Sequence, residues 1–238
     1  MEQLGDLLII VPSRGRPQNI ARLLDAVHEN SRLRTHLHVA VDDDDPELSR
    51  YQYIMKHAGQ SGDELETGER QGLAAWTNEI AVRRAGEYPF LASFGDDHLP
   101  RTKGFDRALT RAIADMPGGT GFTYPWDGTR EDVPEAVVMS SNIVQALGWM
   151  MLPDLKHFWV DNVWADLGAG AGCIRHLRAV AVDHLHPGAK KANGDKTYAE
   201  SGKKIPEDRE AYFAWRHSER FGEDIKAIIA LTRELQPV

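Results

Sequence analysis

The sequence predicts an α/β fold, a mainly parallel sheet flanked by helices with a C-terminal helical extension, and three observations predict it. Apolar runs of strand length alternate with amphipathic segments of helix length through the first half of the chain. The first run, LLIIV at 7–11, is uninterrupted, the pattern of a central strand buried on both faces. Acidic clusters follow two of the strand-like runs directly, and the chain from Pro206 onward reads as helix.

After LLIIV, Pro12, Gly15 and Pro17 end the strand, and Pro17 suits the first turn of a helix. Ile20, Leu23, Leu24 and Val27 then share one helical face. HLHVAVDDDDP (36–46) repeats the unit, with a strand at 36–41, four acids, Pro46 and a helix through Tyr51 to His57. The acidic, glycine-bearing stretch DELETGERQG (63–72) leads into LAAWTNEIAVRRAG. There Leu73, Trp76, Ile80 and Val82 or Arg83 mark a helix that stops at Gly86. PFLASF (89–94) is the next strand. Such alternation favours parallel pairing with helices on both faces, and ligands then bind at the carboxyl ends of the strands. The clusters at 42–45 and 96–97 sit at those ends.

The second half is less regular. GGTGFTYPWDG (118–128) reads as strand and turn, and EAVVMSSNIVQALGWMM (135–151) as a strand and a short helix. HFWVDNVWADLG (157–168) reads as a helix ending near Gly168. HLRAVAVDHLHP (176–187) alternates like a strand, so His184 and His186 share a face with Val180 and Val182. The lysine- and glycine-rich segment 188–204 reads as a mobile loop. In the final helix Gly222 marks a break, and the aromatics of FAWRHSERF (213–221) pack on the core. GAGAG (168–172) is not a dinucleotide fingerprint, because no strand precedes it.

The formal charge of −8, from 28 Lys+Arg against 36 Asp+Glu, argues against extended nucleic-acid binding. Cys173 is the only cysteine, so no internal disulfide forms. No apolar stretch reaches the roughly 18–20 residues that span a bilayer, and the N-terminal run is short and preceded by acids. The expectation is a cytoplasmic protein with no membrane segment.

Asp96 and Asp97 carry the chemistry. Two adjacent anions at a strand end repel each other, and a hard divalent cation, Mn²⁺ or Mg²⁺, with a diphosphate beyond it would compensate them. Solvated loop acids or a helix cap are the plain alternative.

IIVPSRGRP, VAVDDDDP and FGDDHLPRTKGFD, in that order and spacing, resemble a GT-A (Rossmann-like) glycosyltransferase of the inverting, family-2-like, nucleotide-sugar-dependent kind. The likeness covers most of the first 110 residues and continues more loosely through GWMMLPDLKHFWVDNVWADLG and HLHPGAKKANGD. It implies one catalytic domain over 1–205, with a nucleotide-sugar-binding half (1–115) and an acceptor-binding half (116–205), followed by the helical extension 206–238. It implies nucleotide-sugar contacts from Pro12, Ser13, Arg14, Asp42 or Asp44, Arg70, Asn78 and Asp96, with Lys190 and Lys191 closing over the diphosphate. Metal ligation falls to Asp97 with His186 or His184. The family shows Asp-x-Asp where this chain has Gly95 two residues before Asp97, so either both aspartates reach the metal or Asp97 alone.

By the same likeness Asp161 deprotonates the acceptor hydroxyl, with Asp166 the next candidate; flanking Trp159, Val160, Val163 and Trp164 would desolvate Asp161. The donor is a nucleoside-diphosphate sugar, a UDP-sugar on family weight, and the acceptor is a hydroxyl on a protein, a glycan or a modified nucleobase. A nucleotidyltransferase on the same kind of sheet and a non-catalytic carbohydrate- or virion-associated binding module are the rival readings.

Overall fold

The computed structural model describes residues 5–128, 131–185, 202 and 204–233. Leu7–Ser13 forms β1, fully buried along its apolar run, and Pro17 opens α1 (Pro17–Asn30) at its first turn, where a missing N–H costs nothing. The chain continues through β2 (Thr35–Asp42), α2 (Leu48–Ala58), β3 (Glu64–Gly68), α3 (Leu73–Arg84), β4 (Phe90–Ser93), β5 (His98–Pro100) and α4 (Phe105–Ala114). Then come β6 (Phe122–Trp126), β7 (Val137–Ser140), α5 (Ser141–Leu147), α6 (Val160–Ala171) and β8 (Ile174–His184). Two C-terminal helices follow, α7 (Ile205–Arg216) and α8 (Glu219–Arg233).

The strands form one eight-stranded sheet in the order β3-β2-β1-β4-β7-β6-β8-β5. The α/β class stands, but the sheet is mixed. β3, β2, β1 and β4 run parallel, whereas β7 enters antiparallel between β4 and β6. This reversal positions the site. Ser93 of β4 faces Val137 of β7, so the residues just before β7 emerge at the edge where β1, β2 and β4 end. β6 and β8 are parallel to each other, and the His184 N–H donates to the Asp127 carbonyl at 3.3 Å. One edge therefore gathers residues from both halves of the chain.

Helices cover both faces. One core joins Ile20, Leu23 and Leu24 of α1, Tyr51 of α2 and Phe105, Leu109 and Ile113 of α4. The other joins Trp76 and Ile80 of α3, Ile143 of α5, Trp164 and Leu167 of α6, and Tyr212, Trp215 and Ile228 of the C-terminal helices. Each such buried side chain contributes about 1.5–3 kcal/mol relative to exposure. Of the aromatics in 213–221, Trp215 packs in this core and Phe221 against it as the sequence implies, whereas Phe213 is exposed.

Several elements differ from expectation. β3 is an edge strand whose alternating charges, Glu64 and Glu66, face Arg84 and Arg83, so it lacks an apolar signature. β5 has three residues, too few to carry a pattern. The final helix breaks at His217 and Ser218, and Gly222 lies inside α8. Val82 is half exposed and marks no buried face. GAGAG forms the end of α6, where side chains at Gly168 and Gly170 would collide with Ile174 and Ile225. No helix among the described residues is long and apolar enough to cross a membrane.

Candidate active site

The carboxyl edge of the sheet opens into a cleft of about 470 Å³. The four acids after β2 divide between it and the surface. Asp42 is buried and lines the cleft; its oxygens accept from Trp76 Nε1 at 2.8 Å and Arg14 Nη1 at 2.9 Å, with Arg70 Nε at 3.9 Å. Asp44 points outward and binds the two Arg14 nitrogens at 2.5 and 3.2 Å. Asp45 accepts the N–H groups of Gly15 and Glu47, each at 2.7 Å, and is a loop clamp. Pro12, Ser13, Arg14 and Arg70 line the cleft with Asp42, whereas Asp44 does not.

Asp96 and Asp97 both line it, with different neighbours. Asp96 accepts from Ser13 Oγ at 2.5 Å and Asn19 Nδ2 at 3.1 Å, and Arg16 lies 3.6 Å away. Burial, and after it the Asp97 charge, push its pKa up to about 6. Arg16, Ser13 and Asn19 work the other way and supply part of the compensation expected from a cation. Asp97 faces His184, with Nε2 3.6 Å from Oδ2, and its carbonyl accepts the Leu185 N–H at 2.9 Å. A Cβ at Gly95 would stand 2.5 Å from Asp97 Oδ1, so the absent first acid of Asp-x-Asp leaves the space that the Asp97 carboxylate occupies.

His184 is held on its other side by Glu135, 2.5 Å from Nδ1. Burial draws the imidazolium down, but the bonds and charges of Asp97 and Glu135 outweigh it and raise the pKa to about 9. With Glu135 on Nδ1, Nε2 is the nitrogen directed at Asp97, and a metal ion taken there would displace its proton. Ligand atoms of Asp97, His98 and His184 lie within 4.8 Å of one another, as do those of Asp127, Glu135 and His184. His98 Nδ1 already accepts the Gly95 N–H at 2.7 Å. One carboxylate and one imidazole fit Mn²⁺, and fit less well Mg²⁺, which prefers oxygen alone.

Across the cleft, Asp161 sits half-buried in the first turn of α6 beside Val160 and Trp164, and its Oδ1 accepts the Asn162 N–H at 3.0 Å. The cap position belongs to Trp159, the only non-glycine residue of positive φ (68°) among those described. A left-handed tryptophan costs ~1–3 kcal/mol, and such strain collects at ligand clefts. Asp166 lies elsewhere, bound to the Tyr212 hydroxyl and Arg216.

Not every candidate is brought to the cleft. Asn78 is a strut: its Oδ1 accepts the Met150 and Met151 N–H groups, and its Nδ2 donates to the Met151 carbonyl, each at 2.8 Å. His186, Lys190 and Lys191 lie outside the described residues. Sequence reasoning missed Arg16, Glu135, His157 and Lys204, all of which line the cleft. Burial and the Lys204 charge hold the His157 imidazole down at about 4. The unfolded chain, with a histidine pKa near 6.5, binds that proton when the folded protein does not. Stability therefore falls as pH drops from about 6.5 to about 4. Urea unfolding across that window will show a steeper loss for wild type than for His157→Gln.

The chain superposes on a mannosyltransferase from Pyrobaculum calidifontis, solved with GDP-Man and Mn²⁺. The TM-score is 0.66 at 14% identity, over 96% of this chain and 70% of that one. The fold is GT-A. A second GT-A structure, S. aureus TarS 1–349, matches with a TM-score of 0.57 at 14% identity, over 74% of this chain and 59% of that one. Glucosyl-3-phosphoglycerate synthase from Mycobacterium tuberculosis, solved with Mn²⁺ and UDP, gives 0.56 at 10% identity, over 76% of this chain and 72% of that one. This GT-A chain thus spans under two thirds of the TarS fragment. No protein-family model and no curated protein matches it.

Proposed function

We propose that the protein is a metal-dependent glycosyltransferase that moves a sugar from a nucleoside-diphosphate sugar to an acceptor hydroxyl with inversion. One observation carries the reading. The GT-A edge holds Asp97 and a Glu135-oriented His184 in the same cleft as Asp42 and Asp161. In this reading Asp42, fixed by Trp76, accepts hydrogen bonds from the nucleoside. Arg14 and Arg70 stand beside it to meet the diphosphate. Asp97 and His184 hold the divalent ion, which when bound neutralises charge building on the departing diphosphate. Asp161 receives the acceptor proton as the oxygen attacks the anomeric carbon opposite the leaving group. The donor is a UDP-sugar, and the acceptor is a hydroxyl on a protein, a glycan or a modified nucleobase. Residues 1–205 form the catalytic domain and 206–238 its extension.

The loop after β1 speaks against a nucleotidyltransferase. Its Gly15 and Arg16 N–H groups are engaged by Asp45 and the Tyr51 hydroxyl, so they do not form an open phosphate cradle. Incubation with UDP- and GDP-sugars should release the nucleoside diphosphate with Mn²⁺ and not with EDTA. Pyrophosphate release from a sugar phosphate and a nucleoside triphosphate would support the nucleotidyltransferase instead. A binding module would show no metal-dependent thermal shift with nucleotide.

A further inference from the structure

Asp208, in the first turn of α7, is completely buried. Its Oδ1 accepts the Lys156 N–H at 2.9 Å, and its Oδ2 accepts the N–H groups of His157 at 2.9 Å and Phe158 at 2.8 Å. Three consecutive backbone donors are thus turned toward one carboxylate that comes from the C-terminal extension. A carboxylate out of water is tolerated only where such donors replace its hydration, so the loop and the acid fix each other. The next residue is Trp159, held at φ 68° with its indole stacked on Tyr212 of α7, centroids 5.0 Å apart and planes 21° from parallel. The Trp159 carbonyl accepts the Val163 N–H at 3.0 Å, the bond that starts α6, and Asp161 lies within that turn.

From this chain of contacts we infer that Asp208 is a positioning residue: it sets the backbone of 156–159 and through it the place of Asp161. The inference rests on the transferase reading for the role of Asp161, though not for the geometry. It makes the C-terminal extension a working part of the cleft, since α7 grips the loop through Asp208 and the tryptophan through Tyr212. Substitution by asparagine places an N–H₂ against one of the three backbone donors. Substitution by glutamate keeps the charge and moves it by a methylene.

The test compares wild type, Asp208→Asn and Asp208→Glu by amide hydrogen exchange, by calorimetry of UDP with Mn²⁺, and by UDP release from UDP-glucose. In both variants the amides of Lys156, His157 and Phe158 should exchange at least tenfold faster, while those of Ile9 and Leu91 keep their wild-type rates. UDP affinity should stay within twofold of wild type and kcat should fall at least tenfold. Restored turnover in Asp208→Glu, unchanged exchange at 156–158, or a parallel loss of UDP affinity would overturn the inference. If Asp208→Asn does not fold, Asp208→Glu carries the comparison alone. A wild type that released no nucleoside diphosphate from any of the UDP- and GDP-sugars would count against the transferase reading, and the exchange rates would still decide the place of Asp208.

Discussion

Asp97→Ala removes the metal dependence of nucleotide binding. Calorimetry of UDP against wild type should show affinity that rises with Mn²⁺, and against the variant a Kd about 100-fold weaker that no longer responds to the metal. The reason lies in which aspartate stands beside the histidine. Asp96 is bound to Ser13 and Asn19 beside Arg16, whereas Asp97 stands against the His184 ring, its carboxylate lying where a side chain at Gly95 would be. Asp96→Asn should accordingly leave the metal response in place. An Asp97→Ala protein that kept the wild-type Mn²⁺ response would remove Asp97 from the ligand set.

Asp161→Asn separates chemistry from binding. The amide preserves shape and the Asn162 contact but cannot take a proton, so kcat for transfer should fall about 10²–10⁴-fold, the usual worth of a positioned base. The affinity for UDP with Mn²⁺ should not change, because Asp42, Asp97 and His184 are untouched. Turnover within a factor of a few of wild type would reassign the base.

Much of this arrangement is legible in the sequence, for reasons that also explain what is not. LLIIV, HLHVAV and PFLASF announce central strands because both of their faces are buried, and the acids that follow them mark the carboxyl edge. Glu135 is illegible because it precedes a strand. In a parallel sheet that end lies opposite the ligand edge, and only the reversal of β7 brings it to His184. DDDDP cannot reveal that Asp42 turns inward and Asp45 clamps a loop, since four identical residues differ only in the partners the fold supplies. Asn78 looks like a binding residue and is a strut, because its backbone partners at 150–151 are remote in sequence. The grip of Asp208 on 156–158 is remote for the same reason.

A crystal soaked with manganese and UDP bears most directly on the whole account. The anomalous signal of the ion should appear between Asp97 and His184, with the diphosphate against it and the uridine beside Asp42. Density for both in a different cavity, or nucleotide bound in this one with no ion near Asp97, would contradict it.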